Sequence, residues 1–521
     1  MRSPRLLTAV ALLAATRVEA QPRAASGVPT PLAISRIRQQ DLKRDLFILA
    51  GDSMRGREAG TLDEMRASMW IADQLRAIGV RPAGDNGTYF QWWPMRRARL
   101  STSSVIRIGS RTFTLWTDIA ASAVAEADIA SQTVWAGDGR DSSIDVRGKV
   151  AVAELSPPAN PPRPTSPNTP EYRYARAAMT AEGAALARRG ATAVILVADT
   201  TSEKAFDGVL AVASRGTYGV EGLSSGRGAG AGGGRGGPAG GGRGGAGGRG
   251  GGQPNVPVLL VHRDLLDELR AADKPAIVRL VTEHFTYPSV NIIGKVAGTD
   301  PKLRDEYVLF SSHQDHDGVR YSIAGDSIWN GADDNGSTSV ALLAIARAWV
   351  HQPGKRSALF VYHGAEERGL LGSNYHVAFP VVPLGHIVAV LNGDLIGRNN
   401  PDSASLLGIQ PPHRNSTALV QMALEANART GKFALDSIWD RPTHPEGWYF
   451  RSDHLPYARL NVPALMYSTN LHSDYHTPRD EPTRIDYAKL TRMTQWMYLT
   501  GWIVANSKER PPIDPGFKLE R

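Results

Sequence analysis

From about Pro288 to Asn506, short apolar runs alternate with segments of helical period. YVLFSS, ALFVY, IVAVLN and PALMY are almost continuously apolar, as expected of strands covered on both faces of a sheet. NGSTSVALLAIARAWV opens on polar residues and then runs for about four helical turns, with Val340, Leu343 and Ala344 on one side. Strands alternating with helices predict an α/β fold. Upstream, Ile34 to Gly79 is also helical in pattern. IADQLRAIGV places Ile71, Leu75 and Ile78 on one face, and Gly79 suits a C-cap. Between about residues 100 and 285 the texture changes to short strands: SSVIRIG, RTFTLW, KVAVAEL, TAVILVA and VPVLLVHR, with EGAALARRG as a helix ending in glycine. This stretch predicts a small β-rich unit with its own core.

Two segments fall outside these patterns. Residues 1–20 combine Arg2 and Arg5, the short apolar run LLTAVALLAA and a small-residue end at Val18-Glu19-Ala20. That is the layout of a cleaved export signal, and the run is too short for a bilayer span of roughly 20 residues. Residues 226–252, GRGAGAGGGRGGPAGGGRGGAGGRGGG, hold no apolar side chain larger than Ala or Pro and predict a solvated loop. The chain of 521 residues has a formal charge of +8, which raises the question of nucleic acid. Residues 1–20 contribute +2 and residues 222–252 contribute +4, so the rest is close to neutral. With no aromatics in the glycine-rich tract and an export signal, RNA is not the expected partner. The chain has no cysteine, so any metal must be held by His, Asp and Glu.

Acids and imidazoles collect where the apolar runs end. YVLFSS is followed by HQDHDG, IVAVLN by Gly393-Asp394, PALMY by STNLHSDYHTPRD, and ALFVY by Glu366-Glu367. One Asp after a strand is ordinarily a cap or turn residue. Two adjacent glutamates most often mark a solvated helix start. Several segments delivering such groups to the carboxyl edge of one sheet instead predict a metal site. A dication beside Glu366 and Glu367 would reconcile the pair, and in extended backbone the two side chains would point to different sides.

HQDHDG, NGADDNGSTS, GAEERGLLGS, LNGDLIGR, FRSDHLPYARLNVPALMYS and YHTPRDEPTRID resemble, in order, the di-zinc aminopeptidases of peptidase clan MH. The likeness covers most of residues 35–95 and 285–505, and DVRGKVAVAEL with VPVLLVHRDLLDEL resembles an inserted protease-associated (PA) domain. The resemblance implies a three-layer α/β/α sandwich around a central, mostly parallel mixed sheet. With the signal peptide at 1–20 and a Pro-, Ala- and Ser-rich leader at 21–35 read from the residues themselves, it implies a peptidase domain from 36–98 and 286–508, the PA-like insert at 99–285 and a tail at 509–521. It implies two zinc ions per chain. His313 and Asp394 would bind one, Glu367 and His476 the other, and Asp333 would bridge them. Asp315 would orient His313, Glu366 would be the general base, and Tyr475 would help hold the oxyanion. The implied protein is a secreted or periplasmic aminopeptidase acting on peptides, with no membrane attachment after signal cleavage. Alternatives within reach are a carboxypeptidase or dipeptidase using Arg441 or Arg451, a glutaminyl-cyclase-like enzyme, and a non-catalytic binding protein resembling the transferrin receptor.

Overall fold

A computed structural model describes residues 26–156, 171–223, 256–271 and 273–519. The segment 1–20 expected to be an export signal, the first residues of the expected leader and the glycine-rich tract at 226–252 lie outside the described residues.

The elements that carry the site are α1 (Leu62–Ile78), β1 (Phe90–Leu100), β2 (Thr282–Val296), β3 (Tyr307–His313), α2 (Thr338–His351), β4 (Ser357–His363), β5 (Ile387–Gly393), β6 (Ala464–Ser468) and α3 (Tyr487–Asn506). The strands among them belong to a ten-stranded sheet whose inner order is β6-β5-β3-β4-β2-β1. The four strands β4, β3, β5 and β6 run parallel, with His313 level with His363 and Gly393 level with Tyr467. Antiparallel pairing takes over outside them, at β4–β2, β2–β1 and β6 with Ser403–Leu407. Because the four central strands share a direction, their carboxyl ends open onto one edge of the sheet.

The apolar runs are continuous because both faces are covered. Along β4, Ala358, Phe360 and Tyr362 enter the cluster under α1, α2 and α3, while Leu359 and Val361 enter the opposite cluster with Tyr457 and Ala458. The alternation follows from the two-residue strand period. Each fully buried Leu, Val or Phe is worth about 1.5–3 kcal/mol of transfer free energy. α1 starts where the Thr61 side chain accepts from the Asp63 and Glu64 N–H groups and stops at Gly79, whose φ of 93° is left-handed.

A second, eight-stranded sheet takes its strands from the chain between Val105 and Leu280, and has a separate hydrophobic cluster on each face. β1 and β2 pair over eleven residues, from Thr282–Leu100 to Ile292–Phe90, and carry the chain out to this sheet and back. One strand of the intervening chain, Thr217–Val220, instead pairs with β1 and extends the large sheet. Among the described residues no helix is long and apolar enough to cross a membrane.

Candidate metal centre

β3 ends at His313, which is fully buried. Its Nε2 lies 3.2 Å from Asp334 Oδ1, 3.6 Å from Asp394 Oδ1 and 3.8 Å from Glu366 Oε2. On the other side of Asp334, His476 Nε2 lies 3.0 Å from Asp334 Oδ2 and 3.1 Å from Glu367 Oε1. The two oxygens of one carboxylate thus face two separate groups. His316 Nδ1 also approaches the second group, 2.9 Å from Glu367 Oε1 and 3.9 Å from Asp334 Oδ2. Asp394 follows β5, Glu366 and Glu367 follow β4, and His476 comes from the loop after β6.

These donors are short of partners. His313 Nε2, both ring nitrogens of His316, Glu367 Oε1 and Asp394 Oδ1 are buried without a hydrogen bond. Each such atom costs about 1–3 kcal/mol if left unsatisfied. They converge in two sets of His and carboxylate groups, one around His476 and one around His313. A divalent ion in each set would satisfy the orphaned atoms, and nitrogen with carboxylate oxygen is a donor set suited to zinc. The residues present therefore fit the metal.

The bridging position expected for Asp333 is taken by Asp334. Asp333 is turned away: its Oδ1 accepts from the Gly397 N–H at 2.6 Å, and its Oδ2 lies 3.5 Å from His472 Nε2. The Asp480 carboxylate accepts the backbone N–H groups of both Asp333 and Asp334, at 3.0–3.1 Å, and so fixes which acid faces the centre. Asp315 also differs from expectation. His313 Nδ1 lies closer to the Asp315 backbone oxygen, 3.1 Å, than to its carboxylate, 3.8 Å. The carboxylate instead accepts from the N–H groups of Glu366 and Glu367, at 3.0 and 3.3 Å. The two glutamates are not in extended backbone. Ala365, at φ 55°, turns the chain into a short 3-10 turn over Glu366–Arg368, and the turn divides the side chains between the two groups.

The orienting role falls to Asp317 on His476, with Oδ2 3.4 Å from Nδ1. A carboxylate on the far nitrogen fixes the tautomer that leaves Nε2 free. Asp317 is itself held by Arg215, Arg320 and Arg368, so that burial, which would raise its carboxyl, is outweighed and it stays well below the usual range. Tyr475 OH accepts from Arg451 Nη2 at 2.9 Å, and its ring lies tilted by 30° against that of His476, centroids 3.9 Å apart. Arg57 enters from outside the strand-end motifs. Its guanidinium, fully buried, donates to the carbonyls of Gln314, Leu49, Asn330 and Gly331 at 2.7–3.0 Å.

Adjacent glutamates are driven in opposite directions. Burial pushes Glu366 well above the ordinary carboxylate range, against the pull of His313. Burial also acts on Glu367, but His476 and His316 overcome it and hold the group well below that range. Neighbouring carboxyls separated in this way can take different roles.

Residues 291–500 match the model of peptidase family M28. Leucine aminopeptidase 2 of Trichophyton equinum is 27% identical over 179 residues, 33% of this chain and 32% of that protein. Aminopeptidase YwaD of Bacillus subtilis (strain 168) is 26% identical over 248 residues, 46% of this chain and 50% of that protein. The chain thus spans about a third of the fungal relative's length and half of the bacterial one's. The solved structure of BSAP, a zinc aminopeptidase from Bacillus subtilis, superposes with a TM-score of 0.55 at 17% identity, covering 94% of this chain and 100% of that one. That likeness establishes the shared α/β fold.

Proposed function

From the match of residues 291–500 to peptidase family M28, we propose that the chain is an exported zinc-dependent exopeptidase that removes residues from the N-terminus of peptides. The observation that carries this reading is Asp334, one buried carboxylate presenting an oxygen to each of two sets of orphaned ligand atoms. His313, Asp394 and Asp334 would hold one ion, and Glu367, His476 and Asp334 a second. When bound, such ions would supply Lewis acidity toward water and toward the scissile carbonyl.

The chain's own groups supply the proton handling. Glu366 faces the His313 group with its side chain 10% exposed, so it can meet a water molecule that enters between the groups. It takes the proton of the attacking water and passes it to the departing amine. Asp315 fixes Glu366 for this by gripping its backbone N–H. Tyr475 OH, already accepting from Arg451, keeps its own proton to donate to the oxygen that gains charge. Arg451 is engaged by Glu446 at 2.6 Å as well as by Tyr475, which weighs against its holding the terminal carboxylate of a carboxypeptidase substrate. Export rests on the pattern of residues 1–20 and aminopeptidase action on the relatives' names.

The test uses aminoacyl-nitroanilides and peptides blocked at either end. Activity is expected on free N-termini, to be lost on chelation and restored by zinc, and to be abolished in Glu366→Gln while metal content is retained. Turnover that persists after complete metal removal would refute the mechanism. Cleavage of N-acetylated but not C-amidated peptides would reassign the enzyme to carboxypeptidases.

A further inference from the structure

We propose that His316 is itself a metal ligand, so that the ion beside Glu367 is held by two imidazoles and two carboxylates. This rests on the reading of the two groups as divalent-ion sites. His316 is fully buried, and neither ring nitrogen has a hydrogen bond. Its Nδ1 is 2.9 Å from Glu367 Oε1, yet that contact lacks the alignment of a hydrogen bond, because both atoms remain unpartnered. An imidazole that served only to donate to Glu367 would point its N–H along that line. Here the nitrogen and the oxygen sit side by side, facing a common point.

The distances define that point. His316 Nδ1 to Glu367 Oε1, His316 Nδ1 to Asp334 Oδ2, His476 Nε2 to Asp334 Oδ2 and His476 Nε2 to Glu367 Oε1 measure 2.9, 3.9, 3.0 and 3.1 Å. A tetrahedron built on zinc bonds of about 2.0–2.1 Å has edges of about 3.3 Å. The four measured edges lie on either side of that value, and the four donor atoms form one mutually close set.

The ring is held in this pose by the backbone. The His316 N–H donates to the Arg57 carbonyl at 3.2 Å. Gly331, in left-handed conformation at φ 58°, lies so near that a Cβ there would stand 2.3 Å from the imidazole Cγ. The His316 and His476 rings meet at 89° with centroids 5.3 Å apart, so they approach the common point from different directions.

The consequence is an asymmetric pair. The group at His313 offers one imidazole with Asp394 and Asp334, whereas the group at His476 offers two. Imidazole favours zinc, cobalt and nickel over the hard ions that carboxylates accept. The His316 side is therefore the tighter site and fills first.

The test reads binding rather than turnover. Metal-free protein is titrated with zinc by calorimetry, and with cobalt(II) by visible and near-ultraviolet absorption, for the wild type, His316→Ala and His316→Cys. Two binding steps are expected for the wild type. In His316→Ala the tighter step should weaken by more than the about 10- to 100-fold that loss of an outer hydrogen-bond partner costs, with the other step unchanged. In His316→Cys, cobalt should give a thiolate-to-metal charge-transfer band. The native chain has no cysteine, so only position 316 could produce it. Should the alanine protein fail to fold, the cysteine spectrum alone decides. Two unaltered binding steps in His316→Ala, or cobalt bound to His316→Cys without the band, would overturn the assignment and leave the enzyme reading standing. A wild type that binds no divalent ion would overturn both.

Discussion

Replacing Arg57 with Met keeps much of the side chain's volume and removes its five donors. Arg57 donates to the carbonyl of Gln314, which lies between His313 and Asp315, and to those of Asn330 and Gly331, just before Asp334. Its fourth bond is to Leu49, at the end of the Gln39–Leu49 helix. Hydrogen bonds with a charged partner contribute about 1.5–3 kcal/mol each, so four bonds amount to roughly 6–12 kcal/mol gross. Against this stands the cost of burying the charge, which lowers the guanidinium from 12.5 to about 10 even with Asp315 and Asp480 nearby. That shift corresponds to about 3 kcal/mol. The net loss in Arg57→Met is therefore on the order of 3–6 kcal/mol once relaxation of the freed carbonyls is allowed for. Scanning calorimetry should show the transition containing the large sheet falling by on the order of 10 °C. Zinc affinity measured below the new transition should fall too, because the backbone carrying His313 and Asp334 loses its tie. A transition within about 2 °C of wild type, with unchanged zinc affinity, would refute the view that this residue organises the centre.

Asp334→Asn should abolish binding of at least one ion, whereas Asp333→Asn should leave both bound and lower thermal stability instead; elemental analysis of the purified variants separates the two acids. Asp317→Asn should weaken zinc by about 10- to 100-fold through a mis-set His476 tautomer, read by competition with a chelating dye. Glu182, away from the centre, has its carboxyl raised by burial to about 7. A raised acid binds its proton more tightly when folded, so its ionisation costs stability that is absent below the unfolded value of 4.5 and complete above about pH 7. Glu182→Gln should therefore raise the melting temperature at pH 8 by an amount equivalent to about 1–2 kcal/mol, reduced for partial exposure, and change nothing at pH 4.

Much of the centre was legible in the chain because strand ends announce themselves. His313, Glu366 and Asp394 each stand at or shortly after a run of apolar residues, and parallel strands deliver such positions to one edge. Asp333 and Asp334 could not be told apart in that way. Both follow the same glycine-alanine turn, and the choice between them is made by Asp480 and Gly397, which lie 147 and 64 residues from Asp333 along the chain. Similarly, the HQDHDG motif alone does not say that Asp317 turns to His476 rather than to solvent, nor that His316 joins a different group from His313. Arg57 left no trace in the pattern. A basic residue in a polar stretch ordinarily reads as surface, and only the folded chain surrounds it with carbonyls. The unbroken apolar run of β4 correctly implied a sheet covered on two sides, while the antiparallel flanks depend on pairings that local periodicity does not encode.

The strand Thr217–Val220 bears on aggregation. It lies against Met95–Ala98 of β1, on the side of that strand away from β2. Without it, the outward amides and carbonyls of Met95–Ala98 would complete an uninterrupted eleven-residue rim in place of a four-residue edge strand, and long unpaired rims are the usual route to self-association. A truncation that excises the second sheet would remove this guard. Trimmed versions should therefore precipitate or oligomerise even if their catalytic groups are intact.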